Sequence, residues 1–236
     1  MSTGAVFEAT GLTVRYGGVR ANENIDITLE AGTVHGVIGP NGAGKSTFID
    51  ALSGRCRLTS GHIRLHGDDI TKRSIRWRRK NGVSRSFQRT SVFNSLTVRE
   101  QVDLVASKNP DPDVDEVLEI LSLHDVADQV CSQIAYGTQR SVDLALALIG
   151  RPPVLLLDEP CAGLVADESR TMLEHIHTLC RERRIAVLLV EHDVDGIFKT
   201  CDRITVLNLG QVIASGEPSA IRKDPAVIAA YLGKEE

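Results

Sequence analysis

Several things that would place this chain elsewhere are missing from it. Its five cysteines, Cys56, Cys131, Cys161, Cys180 and Cys201, are scattered, odd in number and form no C-x-x-C pair. That spacing argues against a disulfide framework and suits a reducing compartment. No long apolar run is present. A clean one such as residues 185–190, bounded by Arg184 and Glu191, is too short to span a bilayer. Any work at a membrane is therefore expected to go through a partner. The N-terminus lacks a basic segment followed by a long apolar one, so no signal peptide is expected. Excess positive charge is absent too: the formal net charge is -4, which argues against a general nucleic-acid binder. Zinc-ligand spacings, H-E-x-x-H and G-x-S-x-G do not occur. Neither an internal repeat nor a low-complexity linker interrupts the 236 residues, a length that suits one domain or one domain with an insert.

What the chain does contain is Gly39-Pro40-Asn41-Gly42-Ala43-Gly44-Lys45-Ser46-Thr47, a full match to G-x-x-x-x-G-K-[ST]. A mostly apolar run, residues 34–38, leads into it, and Phe48, Ile49, Ala51 and Leu52 follow in helical order. This is the strand, loop and helix that a phosphate-binding loop requires. Glycines let backbone N–H groups turn inward, and the following helix starts with its positive dipole end at the same point. Lys45 is placed to reach the β- and γ-phosphates of a nucleoside triphosphate, and Ser46 to put its hydroxyl on a magnesium ion.

In chain order, residues 5–30 read as antiparallel strands, with Ile25, Ile27 and Leu29 alternating with polar residues. Tyr16, before Gly17-Gly18, is either a strand-end aromatic or a platform for an adenine ring; spacing alone favours the former. Residues 61–67 predict a short strand. The basic stretch over 72–89, with Lys72, Arg73, Arg76, Arg78, Arg79, Lys80, Arg85 and Arg89, predicts a solvated helix face around Ile75 and Trp77 rather than a nucleic-acid or headgroup patch. Residues 113–150 predict helix, with Val114, Val117, Leu118 and Leu121 at helical spacing and a second apolar helix over 144–149. Two helices before the next core strand suggest an inserted helical lobe. Val154-Leu155-Leu156-Leu157 predicts a buried strand ending in Asp158-Glu159-Pro160. The end of a parallel strand faces the ligand crevice in open α/β sheets. Asp158 is therefore a candidate magnesium ligand, and Glu159 a candidate base that polarises water for attack on the γ-phosphate. An amphipathic helix over 167–183 and a third buried strand over 185–190 follow. His192, in Glu191-His192-Asp193, stands at another crevice-facing strand end and is a further candidate. Residues 204–214 predict a hairpin about Leu209-Gly210, and a helix with Asp224 as cap and Pro225 at its first position closes the chain.

With phosphate loop, Gln88, Tyr136-Gly137, Asp158-Glu159 and His192 in this order, the chain resembles the ABC-type ATPases over essentially its full length. Ile134-Ala135-Tyr136-Gly137-Thr138-Gln139-Arg140 looks like the signature of that family, usually L-S-G-G-Q. The resemblance implies one nucleotide-binding domain over 1–236. Its expected fold is α/β: a phosphate-loop (RecA-like) core with a mainly parallel sheet, an N-terminal antiparallel β subdomain, and a helical subdomain inserted at about 90–150. ATP and Mg2+ are the implied cofactors. Residues 39–47, Tyr16 (now as an adenine platform) and Gln88 would bind ATP. Ser46, Gln88 and Asp158 would serve the metal, and Lys45, Glu159 and His192 catalysis. Ala135, Tyr136, Gly137, Thr138 and Gln139 would meet the nucleotide held by a second ABC ATPase subunit.

Within the family, Phe87-Gln88 followed by Leu96-Thr97-Val98, Ala135-Tyr136-Gly137, Glu191-His192-Asp193 and a tail near Ala230-Tyr231-Leu232-Gly233 look most like the ATPase subunits of bacterial branched-chain amino-acid importers. The urea and amide branches look similar. This implies ATP hydrolysis coupled to transport through transmembrane permease subunits and, indirectly, a solute-binding protein, at the cytoplasmic face of the inner membrane. Nucleic acid is not an expected partner. Three residues depart from the family pattern: Ala135 for Ser, Thr138 for Gln or Glu, and Val165 for Asp or Asn. Ala135 and Val165 motivate an expectation that the second ATPase subunit is a distinct chain. They also motivate a rival reading as a regulatory cassette, against which Lys45, Asp158, Glu159 and His192 stand. A soluble ABC ATPase acting on nucleic acid or ribosomes is the other rival; the paired cassettes or coiled-coil inserts usual there are absent.

Overall fold

Residues 5–30 fold as the long hairpin their alternation predicts, β1 (Ala5–Tyr16) and β2 (Val19–Glu30), turned at Gly17-Gly18. The computed structural model describes residues 4–86, 91–109 and 112–232. After the hairpin come β3 (Val34–Ile38), α1 (Lys45–Ser53), β4 (Ser60–Leu65), β5 (Asp68–Asp69), α2 (Ile75–Lys80) and β6 (Val83–Arg85). Then follow three helices, α3 (Val98–Ala106), α4 (Val114–Ile120) and α5 (Tyr136–Leu148), before β7 (Val154–Asp158). The chain continues through α6 (Ala166–Arg183), β8 (Ala186–Val190), α7 (Val194–Thr200), β9 (Arg203–Asn208), β10 (Gln211–Gly216), α8 (Pro218–Ile221) and α9 (Pro225–Leu232). Asp224 caps α9 as expected, its Oδ1 accepting from the N–H of Ala226 and Val227.

Two sheets organise these elements. One is antiparallel, in the order β2-β1-β4-β5. The other runs β10-β9-β3-β8-β7-β6 and is parallel except for the β9–β10 hairpin, whose turn places Leu209 and Gly210 both at positive φ. Strands β3, β7 and β8 are buried along their whole length. Alternate residues explain why: Leu155, Leu157, Val187 and Leu189 join a core with α3–α6, while Leu156, Leu188 and Val190 join one with β1, β2 and α1. A strand covered on both faces has no polar face to alternate with. Parallel pairing then fixes the site. Val37 pairs with Val190, and Val190 pairs with Asp158, so the ends of β3, β8 and β7 are level at one edge of the sheet.

Two expectations need correction. Helix over 113–150 is broken: α4 stops at Ile120, short 3-10 turns occupy His124–Val126 and Cys131–Gln133, and α5 begins only at Tyr136. A further helix, α3, was announced by Thr97 and Glu100, which form a reciprocal capping box. The basic stretch is not simply a solvated face. Lys72, Arg73, Arg76 and Lys80 are exposed, but Arg78 is buried. Its guanidinium donates to the carbonyls of Ala51 and Leu52, at the end of α1, and of Ile70 and Thr71. The last carbonyls of a helix have no partner within it, and an arginine from α2 supplies the donors. Arg89 lies outside the described residues.

Candidate nucleotide site

The loop between β3 and α1 is shaped by close approach of backbone to backbone. A Cβ at Gly39 would lie 2.2 Å from the Leu207 carbonyl oxygen, and one at Gly44 2.4 Å from that of Ala21. Gly42 and Gly44 also hold φ of 79° and 99°, which glycine adopts without strain. Gly44 stands at the N-cap of α1 and brings no side-chain cap bond to the start of the helix. Buried Asn22 of β2 steadies this end, donating from Nδ2 to the Gly44 carbonyl at 3.2 Å. Lys45 is folded into the loop, its Nζ donating to the carbonyls of Gly39 (2.6 Å) and Pro40 (3.2 Å).

These residues border a cavity of about 580 Å3 whose lining includes Asn41, Lys45, Ser46, Thr47, Glu159 and His192. Glu159 follows β7 with φ 50°, and its N–H donates to the Val190 carbonyl of the neighbouring strand at 2.8 Å. Its Oε1 meets His192 Nε2 at 2.5 Å, so the two predicted catalytic residues touch. Glu191 ties the segment after β7, at Cys161, to the backbone of His192. This buried carboxylate accepts from the N–H of Cys161 through Oε1 (2.6 Å) and from that of His192 through Oε2 (3.1 Å). Burial pushes its carboxyl up, and the two N–H groups pull it back.

Asp158 is buried, which raises its carboxyl, and Arg85 beside it opposes that shift. Arg85 donates to Asp158 Oδ2 at 2.8 Å and to Asp50 Oδ1 at 2.5 Å. Ser46 borders the cavity and Asp158 does not; a hydroxyl and a carboxylate are both oxygen donors of the kind a hard divalent cation takes. Among the described residues no group of three or more His, Cys, Asp or Glu could hold a metal by itself.

Other expected site residues lie outside the cavity. Tyr16 is half exposed and does not line it; Val19 and Arg20 do. Gln88 lies outside the described residues. Ala135, Tyr136, Gly137, Thr138 and Gln139 open α5 and do not line the cavity. Ala135, at the N-cap, makes no side-chain cap bond, and Ala135 and Tyr136 are exposed. Gln139 instead faces inward, its Nε2 donating to the carbonyls of Cys131 and Ile134. Arg140, one residue on, is buried and grips the segment after β7, donating from Nε to the Pro160 carbonyl (3.0 Å) and from Nη2 to that of Glu159 (2.5 Å). Tyr136 adds a hydroxyl contact to the Ala162 carbonyl at 3.3 Å. The start of α5 and the backbone of Glu159 are thus one unit. Val165 is exposed at the N-cap of α6.

Comparison with known proteins agrees with this geometry. Residues 22–162 match the family described as ABC transporter, and residues 211–236 the one described as branched-chain amino acid ATP-binding cassette transporter. The chain is 36% identical to the high-affinity branched-chain amino acid transport ATP-binding protein BraF of Pseudomonas aeruginosa, over 97% of this chain and 98% of that one. To the corresponding protein LivG of Escherichia coli it is 34% identical over the same shares. Among solved structures, the ADP conformation of an ATP-binding cassette of an ABC transporter superposes with a TM-score of 0.88 at 26% identity, covering 98% of this chain and all of that one.

Proposed function

Because the chain belongs to the ABC transporter family of ATP-binding cassettes, we propose that it is the ATP-hydrolysing subunit of a membrane importer for branched-chain amino acids or related small amino acids and amides. The observation that carries this reading is the level edge of β3, β8 and β7, which brings the phosphate loop, Glu159 and His192 around one cavity. The match of residues 211–236 supports the solute class. Among the described residues no helix is long and apolar enough to cross a membrane. Transmembrane permease subunits therefore carry the solute, a solute-binding protein delivers it, and this chain acts from the cytoplasmic face.

The loop amides and Lys45 hold the triphosphate, Lys45 exchanging its contacts with Gly39 and Pro40 for phosphate oxygens. Ser46 and Asp158 would hold Mg2+, which when bound would supply positive charge against the triphosphate. Glu159 accepts a proton from the attacking water, with His192 against its Oε1 keeping the carboxylate aimed. Tyr16, at the end of β1, stacks on adenine, and Gln88 reports the state of the metal site to the permease.

The start of α5 serves the nucleotide of a second cassette. Its N-terminal N–H groups suit a γ-phosphate, but Ala135 offers no hydroxyl and exposed Val165 no polar contact across the dimer. Each absent hydrogen bond is worth about 0.5–1.5 kcal/mol net, and a symmetric dimer would lack each twice. A distinct ATPase chain with a stronger half is therefore the expected partner. Sedimentation of the Glu159→Gln protein with ATP tests this: the chain alone should remain mostly monomeric, and Ala135→Ser with Val165→Asp should strengthen ATP-dependent self-association. A tight homodimer of the chain at micromolar concentration would contradict it.

A further inference from the structure

Ser46 and Asp158, the two residues that would face a cation, stand on different elements, α1 and β7, and a single side chain braces one element against the other. Arg85, the last residue of β6, spreads its guanidinium between them. Nη1 donates to Asp50 Oδ1 (2.5 Å) and Ser53 Oγ (2.9 Å) on α1, and Nη2 to Asp158 Oδ2 (2.8 Å) on β7. The Arg85 side chain is 8% exposed and that of Asp158 10%, so water does little to loosen the pair. Asp50 lies four residues after Ser46 on α1, hence on the same helix face. We infer that Arg85 is a positioning residue for the metal bound with the nucleotide: its planar fork sets the spacing between the helix bearing Ser46 and the strand end bearing Asp158, and holds the Asp158 carboxylate in one rotamer. This rests on the reading of the cavity as a metal–ATP site.

The chemistry of the side chain supports a brace over a mere counter-charge. A guanidinium spans two carboxylates in one plane; an ammonium is a point charge on a flexible stem. A cation beside a metal site would by itself repel the metal, so deletion of an Arg85 that acted only as a charge would tighten metal binding. Deletion of a brace loosens it. Partners that orient a metal ligand typically account for about 10–100-fold in metal affinity.

The readout is the ratio of affinities for a non-hydrolysable ATP analogue with Mn2+ and with EDTA, measured by calorimetry. In Arg85→Met this ratio is expected to fall about 10-fold or more, although a positive charge has been removed, while affinity in EDTA stays near wild type. Arg85→Lys, which reaches one carboxylate, and Asp50→Ala, which cuts the α1 end of the brace, should lower the ratio as well. They carry the test if Arg85→Met fails to fold. A ratio that is unchanged or raised, or equal losses with and without metal, would overturn the inference. A wild-type protein that gains nothing from Mn2+ would overturn the nucleotide-site reading along with it, whereas a wild-type gain retained in all three variants overturns this inference alone.

Discussion

Replacing Glu159 by glutamine is expected to lower ATP turnover by roughly 10²-fold or more while ATP binding persists. The substitution keeps the shape of the side chain and removes the carboxylate proposed to take the proton from water. The backbone of Glu159 is held independently of that carboxylate. Its N–H donates to the Val190 carbonyl, its own carbonyl accepts from Arg140, and its left-handed φ of 50° is fixed between them. The loss should therefore appear in kcat and not in nucleotide affinity, the pattern of an interaction made in the transition state. His192→Ala should follow the same pattern more mildly, since the imidazole acts through its 2.5 Å contact with Glu159 Oε1. Phosphate release and filter binding measure the two quantities. Turnover near wild type in Glu159→Gln would remove Glu159 as the base, and a His192→Ala protein that lost ATP binding first would make His192 structural.

Lys45→Ala should strike the other quantity. In the proposed role the Lys45 ammonium, the one charged side chain of the loop, meets the phosphates, and a hydrogen bond to a charged group contributes about 1.5–3 kcal/mol, so ATP affinity should fall roughly 10- to 100-fold. Lys45 is buried, with Nζ on the Gly39 and Pro40 carbonyls. Removing it also frees two loop carbonyls. A thermal melt of the nucleotide-free variant separates that local loosening from lost phosphate contact. Unchanged ATP affinity would contradict the role given to the loop.

What the sequence made legible is what lies within one short string. The loop at 39–47, Asp158-Glu159 and the covered strands β3, β7 and β8 can each be recognised from a few neighbouring residues. Arg85, Arg78, Glu191 and Arg140 could not be, because their partners are remote. Arg85 meets Asp158 across 73 positions, and Glu191 meets Cys161 across 30. In a list of basic residues, Arg78 and Arg85 look like their exposed neighbours; only the fold turns one into a helix-end donor and the other into a link between carboxylates. Helix α3 was different. Thr97 and Glu100 announced its start, and the signal was open to reading. The break between α4 and α5 left no such mark, because apolar residues such as Leu123, Ala127 and Cys131 continue into the same core through turns.

Uptake of a radiolabelled branched-chain amino acid tests the central claim most directly, in cells from which the gene for this chain has been removed. Uptake should fall, return with the wild-type gene, and stay low with the Glu159→Gln gene although that protein is made and binds ATP. Uptake that is unchanged by the deletion, or restored equally by Glu159→Gln, would contradict the claim that ATP hydrolysis at this site drives import of that solute.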